Sequence, residues 1–316
     1  SFNIDKQKLL FSGHHLSHAA SAFYASPFEE AVIVTIDGVG EWSTASVCLG
    51  KGNRISLIKE LRFPHSVGLS YSSFTYFLGF RVNSGEYKLM GLAPYADAGS
   101  GEVKKYVKLI EENMLGVKED GSVWLNQAYF SYANRLRMIR EKRWEKLFGF
   151  KRRLAEDDIR QHHCDLAQAI QWVTEDIVRK IVLHAKTFAG SEAQRANLCM
   201  AGGVALNCVA NGKVLDEGIF DDIYIQPAAG DAGGAVGAAL AGHYIFEDKP
   251  RFIEKPDSML GSFLGPDYSD RDILKVLRRY HASYRYYENF SDIAAEVAGL
   301  LKGGKIAGWF QGRMEF

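Results

Sequence analysis

Two hydrophobic periods alternate along the chain. Residues 31–36 (Ala-Val-Ile-Val-Thr-Ile) form an unbroken apolar, β-branched run, which predicts a buried strand. Residues 43–49 and 54–61 read as two more strands, with Asp37–Gly40 and Gly50–Asn53 as the turns between them. Residues 14–24 contain no helix breaker and read as helix, as do 69–79. Further on, Leu166, Ile170, Val173, Ile177, Ile181 and Phe188 recur every three or four positions and predict one long amphipathic helix. A strand at Asn197–Ala201, a Gly-Gly loop and a helix through about 215 follow. Next come a strand at Asp222–Gln226, a glycine-rich loop and a helix of small residues at Ala232–Tyr244.

Between these periodic stretches the pattern weakens. Residues 97–160 are more polar and irregular and read as an insertion. Its basic stretch from Arg135 to Arg153 fits a solvated helix face better than an anion site. Residues 247–258 are polar and contain prolines, as a linker does. From 259 a second pattern starts, with helices at 269–280 and 291–302 and a strand at Lys305–Phe310. These 58 residues alone bury too little to form a sufficient core. The expected organisation is 1–246, a linker at 247–258, and 259–316 as the opening part of another α/β domain. The order β-β-β-α…α-β-α-β-α differs from a simple Rossmann repeat. It is the layout of the RNase-H-like half of an actin/Hsp70/sugar-kinase ATPase.

Composition narrows the function classes. Lys+Arg and Asp+Glu both number 38 in 316 residues, so no chain-wide basic field draws in nucleic acid. An apolar fraction of 47 % excludes disorder as the main theme. No apolar run is long enough to span a bilayer, and Ser1–Lys6 lacks the layout of a signal peptide. The four cysteines contain no C-x-x-C pair, which points to reduced thiols in a cytoplasmic protein. Glycine is frequent (31) and proline scarce (7), with the glycines gathered in short loops of the kind that hold phosphate with backbone.

Five segments carry candidate chemistry. His14 and His18, four apart, share a helix face and can grip one ion, although His15 stands where a zincin would place its glutamate. Asp37-Gly38-Val39-Gly40 puts a carboxylate and unhindered N–H groups after a buried strand; a plain hairpin turn would look the same. Gly202-Gly203-Val204-Ala205-Leu206-Asn207 joins strand to helix, where glycines admit a ligand and Asn207 can read a ribose or base edge; tight packing is the alternative. At Gly230-Asp231, Asp231 either caps a helix or faces a metal. Within Asn83–Pro94, Glu86 and Lys88 either orient an acceptor group or form a surface pair. Three of these loops follow strand carboxyl ends, the edge where open α/β sheets bind ligands. Two histidines and two aspartates there suit Fe(II), Zn or Mn.

These motifs resemble the NodU/CmcH family of O-carbamoyltransferases. The resemblance is carried by His-His-Leu-Ser-His-Ala-Ala-Ser-Ala-Phe, Asp-Gly-Val-Gly-Glu-Trp, Gly-Glu-Tyr-Lys-Leu-Met-Gly-Leu-Ala-Pro, Ala-Gly-Gly-Val-Ala-Leu-Asn-Cys and Gln-Pro-Ala-Ala-Gly-Asp-Ala-Gly-Gly-Ala, with the tail Gly-Trp-Phe-Gln-Gly-Arg-Met-Glu-Phe. It implies a Kae1-like, ATPase-type domain in residues 1–246 and the start of a YrdC-like domain in 259–316. It implies His14, His18, Asp37 and Asp231 as metal ligands, with iron or another divalent ion. Gly38, Gly40, Gly202, Gly203, Asn207 and Gly230 would border the nucleotide; Glu86, Lys88 and Arg313 would serve the reaction. Carbamoyl phosphate and ATP would give carbamoyl-adenylate, and the carbamoyl group would pass to a hydroxyl of a sugar or secondary metabolite. Against the family pattern, the opening strand with its His-Asp-Ser-type loop and most of the YrdC-like domain are missing, so the chain is expected to be a fragment that does not turn over alone. Rival readings are a sugar kinase, a tRNA threonylcarbamoyl transferase and a non-catalytic nucleotide-binding module. A membrane or nucleic-acid partner is not expected, and a homodimer stays open.

Overall fold

The structure, a computed structural model, describes residues 9–97, 99–190 and 196–315; the opening Ser1–Lys6 lies outside them. The chain divides into two units, Ser1–Ser258 and Met259–Phe316.

In the first unit, helix α1 (His14–Phe23) leads into a meander of β1 (Glu30–Gly40), β2 (Ser43–Lys51) and β3 (Arg54–Arg62). Helices α2 (Val67–Phe77), α3 (Glu86–Leu92) and α4 (Gly101–Asn113) follow. A small hairpin of β4 (Leu115–Val117) and β5 (Val123–Leu125) comes next, then α5 (Glu141–Phe148) and the long α6 (Gln161–Lys186). The remaining elements are β6 (Asn197–Ala201), α7 (Cys208–Asp216), β7 (Asp222–Ile225) and α8 (Asp231–Ala241). The main sheet has the order β3-β2-β1-β6-β7. β1, β2 and β3 pair antiparallel, whereas β6 and β7 add parallel to β1.

Strand β1 is buried on both faces, as its continuous apolar run requires. Its parity divides the core. Val32, Val34 and Ile36 face α2 and α6 in the larger core, while Ala31 and Ile33 face Ala19, Ala20 and Phe23 of α1. Edge strand β3 carries Arg54, Lys59, Glu60 and Arg62, charges that discourage pairing with another chain.

Three local expectations change. First, Asp37–Gly40 is not the turn. β1 continues to Gly40, and its register with β2 shifts between Ile36 and Gly40, so the reversal falls at Glu41–Trp42. Second, 99–160 carries regular, packed elements. Val103, Tyr106, Ile110 and Met114 line one face of α4 and its end, and Trp144 of α5 is fully buried 4.6 Å from the ring of Phe74. Lysines and glutamates between these positions mask the helical period. Third, Lys305–Phe310 joins no ladder among the described residues.

The stretch 247–258 leads to the second unit and is tied down on the way. The Arg251 guanidinium donates to the carbonyls of Phe23 (2.6 Å), Ser26 (3.0 Å) and Phe28 (2.7 Å), satisfying acceptors at the end of α1. It also lies 4.2 Å from the Phe23 ring centroid. In the second unit, α9 (Asp270–Arg279) and α10 (Phe290–Lys302) bury none of their residues. Among the described residues no helix is long and apolar enough to cross a membrane.

Candidate metal centre

Helix α1 crosses the sheet face that receives the odd-numbered positions of β1. His15 pins it there. Its Nε2 faces the Ser43 carbonyl at 3.0 Å, an acceptor only, so Nε2 carries the proton and Nδ1 accepts from the Thr35 hydroxyl at 2.6 Å. Burial pushes His15 down to about 4, so it sits neutral and structural. With α1 held in this rotation, His14 and His18 turn toward Asp37, the next odd position of β1. Gly40 makes room, since a Cβ there would lie 2.2 Å from the His14 ring.

Asp37 is buried and held on both oxygens. Oδ1 accepts from the Gly203 N–H at 3.0 Å, which aims Oδ2 at the histidines. Gly202, at φ +91°, brings this loop so close to β1 that a Cβ would stand 2.4 Å from the Ile36 carbonyl oxygen. Asp231, the first residue of α8 with Gly230 as its cap, arrives from the other side. A tight helix seam sets its position, because a Cβ on Gly237 would fall 1.8 Å from the Ser17 carbonyl oxygen.

Four ligand atoms thereby converge within 4.8 Å of one another. His14 Nε2 and His18 Nε2 are 3.0 Å apart and lie 2.9 and 3.3 Å from Asp37 Oδ2. Their distances to Asp231 Oδ1 are 3.4 and 3.7 Å. Two neutral imidazoles bring at most one N–H each, so hydrogen bonds cannot satisfy these five approaches together. One cation can. Donors about 2.1 Å from a shared ion stand roughly 3.0–3.4 Å from their neighbours, which fits the spacing found. The donor chemistry, two imidazoles and two carboxylates, suits a divalent transition metal. His18 Nδ1 is buried without a hydrogen-bond partner among the described residues.

The electrostatics match a shared positive charge. The hydrogen bond that His14 donates to Asp37 raises His14 above the ordinary imidazole value; partial burial opposes it, and the charges of Asp37, Asp231 and Glu41 add to it. Burial works against ionising Asp37. Hydrogen bonds from His14, His18 and the N–H groups of Gly38 and Gly203 overcome that and hold the carboxyl far below the usual carboxylate range. The cluster opens on a cleft of about 400 Å³ lined by Ser12, His14, Ser17, His18, Glu41 and Asp231.

Other candidate residues lie differently. Asn207 does not stand free to read a ligand edge: its Oδ1 caps α7 through the Ala210 N–H at 3.1 Å, and its amide pairs with Gln171. Glu86 ties its own loop to α2, accepting from Ser72 Oγ (2.7 Å) and from the N–H groups of Asn83 (3.0 Å) and Gly85 (3.1 Å). Lys88 is exposed, and no hydrogen bond or ion pair among the described residues links it or Glu86 to the cluster. Gly38 and Gly230 have side-chain room, with nearest neighbours 3.7 Å from a notional Cβ. Arg313 belongs to the second unit and donates to the Gly265 carbonyl at 2.5 Å.

The basic stretch ends in a cleft of about 510 Å³ that holds none of the four donors. There Arg153 is buried and donates to the carbonyls of Leu78, Ala155 and Asp157, while Arg152 lies over the Tyr76 ring. Sequence reasoning missed Gly203 as the holder of Asp37, Gly40 and Gly237 as spacers, and Gln171. For Gly237 a signal existed in the four-residue spacing from Gly233 opposite a helix rich in serine and alanine.

Comparisons with known proteins give the family. The sequence profile of the carbamoyltransferase N-terminus matches residues 2–240. An uncharacterised protein of Synechocystis is 51 % identical over 99 % of this chain and 49 % of its own length. Nodulation protein NolNO of Sinorhizobium fredii is 34 % identical over 99 % of this chain and 42 % of its own. Nodulation protein NolO of Bradyrhizobium diazoefficiens is 32 % identical over 96 % of this chain and 50 % of its own. The chain thus spans about half the length of the curated relatives it matches. With that profile matching residues 2–240, about three-quarters of the chain, the chain belongs to the carbamoyltransferase family, in the part described as the family's N-terminus.

Proposed function

We propose that the complete polypeptide is an ATP-dependent O-carbamoyltransferase and that the first unit is its metal- and nucleotide-binding part. The observation that carries this reading is the convergence of His14, His18, Asp37 and Asp231 from three separate elements in a chain of this family. The sheet order, an antiparallel meander extended by two parallel strands, supports an actin-like ATPase assignment.

In this reading the four donors hold Fe(II) or another divalent ion, which when bound polarises oxygen and neutralises developing charge. The chain's own groups do the rest. Gly203 and Gly38 keep Asp37 ionised and fix which oxygen faces the cleft. The open backbone at Gly230 and the start of α8 favour phosphate oxygens, with Gly202 and Gly203 on the opposite side. Exposed Lys88 meets an anionic group of the substrate, and Arg313 of the second unit serves formation of carbamoyl-adenylate: water cleaves carbamoyl phosphate to carbamate and phosphate, and the carbamate oxygen attacks the α-phosphorus of ATP with pyrophosphate leaving. The acceptor hydroxyl belongs to a small sugar or secondary metabolite, which takes the carbamoyl group as AMP leaves. A tRNA acceptor is disfavoured by the inward use of Arg152 and Arg153.

Mass spectrometry tests the proposal. Hydroxylated candidates incubated with the complete polypeptide, ATP and carbamoyl phosphate should gain one carbamoyl unit, with AMP released and with loss of activity on chelation. Metal and ATP binding without transfer to any acceptor would reduce the protein to a nucleotide-binding module.

A further inference from the structure

Gln171 lies within α6 at 2 % exposure, and its amide is saturated. Nε2 donates to Glu175 Oε1 (2.8 Å) and Asn207 Oδ1 (3.0 Å). Oε1 accepts from Tyr71 OH (2.8 Å) and Asn207 Nδ2 (3.0 Å). Two donors and two acceptor sites are all that an amide offers. Glu175 is in turn bound by Lys213. A buried polar hub of this kind rigidifies what it touches, provided that each member is satisfied.

The hub reaches the metal centre through one turn. Asn207 closes the short helical turn Gly203–Leu206 by donating its N–H to the Val204 carbonyl at 2.9 Å. Asn211 Nδ2 binds the Ala205 carbonyl at 2.7 Å, tying the same turn to α7. At its other end the turn presents the Gly203 N–H to Asp37 Oδ1 at 3.0 Å. The turn starts from Gly202 at φ +91°, whose N–H donates to the Ala229 carbonyl at 2.8 Å, so the Gly202 end has one backbone tether and the far end depends on Asn207 and Asn211.

We propose that Gln171 is a positioning residue for the metal centre: its two-point grip on Asn207 fixes the Gly202–Asn207 turn, which aims the Gly203 N–H at Asp37 so that Oδ2 faces His14 and His18. The importance of this aim rests on the metal reading above, whereas the mechanical link does not. Gln171 contacts neither metal donors nor cleft and acts only through Asn207 and Gly203.

The test uses the whole chain with two substitutions. Gln171→Met keeps the length of the side chain and removes all four hydrogen bonds. Asn207→Ser keeps a capping oxygen for α7 and loses the amide that grips Gln171, so it decides the matter should Gln171→Met fail to fold. In metal-free protein, amide hydrogen exchange at Gly203 should quicken by about tenfold or more in either folded variant while the β4–β5 hairpin exchanges as before. Unchanged exchange at Gly203, or equal acceleration in the hairpin, overturns the proposal, because a merely structural hub would loosen both or neither. Co(II) titration followed by visible absorption supplies the second readout. Where wild type binds Co(II) and His14→Ala does not, both variants should bind about tenfold more weakly with an altered spectrum. Faster Gly203 exchange with unaltered Co(II) binding also overturns it. A wild-type chain that takes up no Co(II) would sink the metal reading, and Gly203 exchange would still decide the link from Gln171.

Discussion

The first unit contains two histidine pairs with nearly the same spacing and opposite chemistry. His14 and His18 bring their Nε2 atoms to 3.0 Å; His162 and His163 bring theirs to 3.1 Å. In the second pair, His163 Nδ1 accepts the Arg160 N–H at 2.9 Å at the start of α6, which leaves the proton on Nε2. That N–H then donates to His162 Nε2, and the short contact is an ordinary neutral hydrogen bond. Among the described residues no carboxylate is within ion-pair distance of either ring, although Asp157 and Asp165 act on them from farther off. In the first pair two carboxylates crowd the same nitrogens, and no arrangement of protons satisfies them all. Distance between imidazoles therefore says little about metal binding. What the remaining lone pairs face decides it.

The largest expected contrast is in metal uptake. His18→Ala or Asp37→Asn should weaken Co(II) or Zn(II) binding by more than about a hundredfold, since even supporting residues cost 10–100-fold, while His162→Ala leaves the isotherm unchanged. Equal losses at both pairs would end the distinction.

Next is the helix seam that serves one pair alone. Gly237→Ala drives a methyl group toward the Ser17 backbone and should cost about 1–3 kcal/mol in urea unfolding. It should also shift Asp231 and weaken metal binding. An unaffected affinity would show that Asp231 is dispensable.

The smallest effect separates the pairs by pH. Burial, reinforced by His162 and the nearby arginines, pushes His163 from 6.5 down to about 4. The unfolded chain then binds the extra proton first, so this contribution to stability is whole above pH 6.5 and fades as pH falls toward 4. His163→Gln should therefore lose less stability than wild type when urea unfolding is repeated at pH 4.5 instead of 7. His14 shifts the other way, upward, so a steeper acid loss in His163→Gln would place the sensitive imidazole elsewhere.

Much of the site was legible before any fold was known. The i, i+4 spacing put His14 and His18 on one helix face, and the unbroken run before Asp37 marked a buried strand with a carboxylate beyond it. Parity along β1 carries that carboxylate to the face where α1 packs. Asp231 was legible only as a choice between cap and ligand, because its helix meets α1 through Gly237 and Ser17, 220 positions apart. Asn207 and Glu86 each leave two readings open in the sequence, ligand-facing or tethered, because polar groups beside glycines look alike there. Their partners, Gln171 for one and Ser72 for the other, consume them. In α4 the helical period is hidden in the sequence, because charged side chains sit between its core positions.

Local periods, breakers and helix geometry thus came from the sequence alone: the strand run, the meander and the shared face of two histidines. They follow from near-neighbour sterics and from the burial of apolar faces. The tertiary structure decided which polar atoms find partners and which are left facing one another, because a hydrogen bond between distant segments exists only once packing has brought them together. Asp37 and Asn207 are both buried polar groups beside a glycine turn, yet only the first of the two turns an oxygen toward His14 and His18.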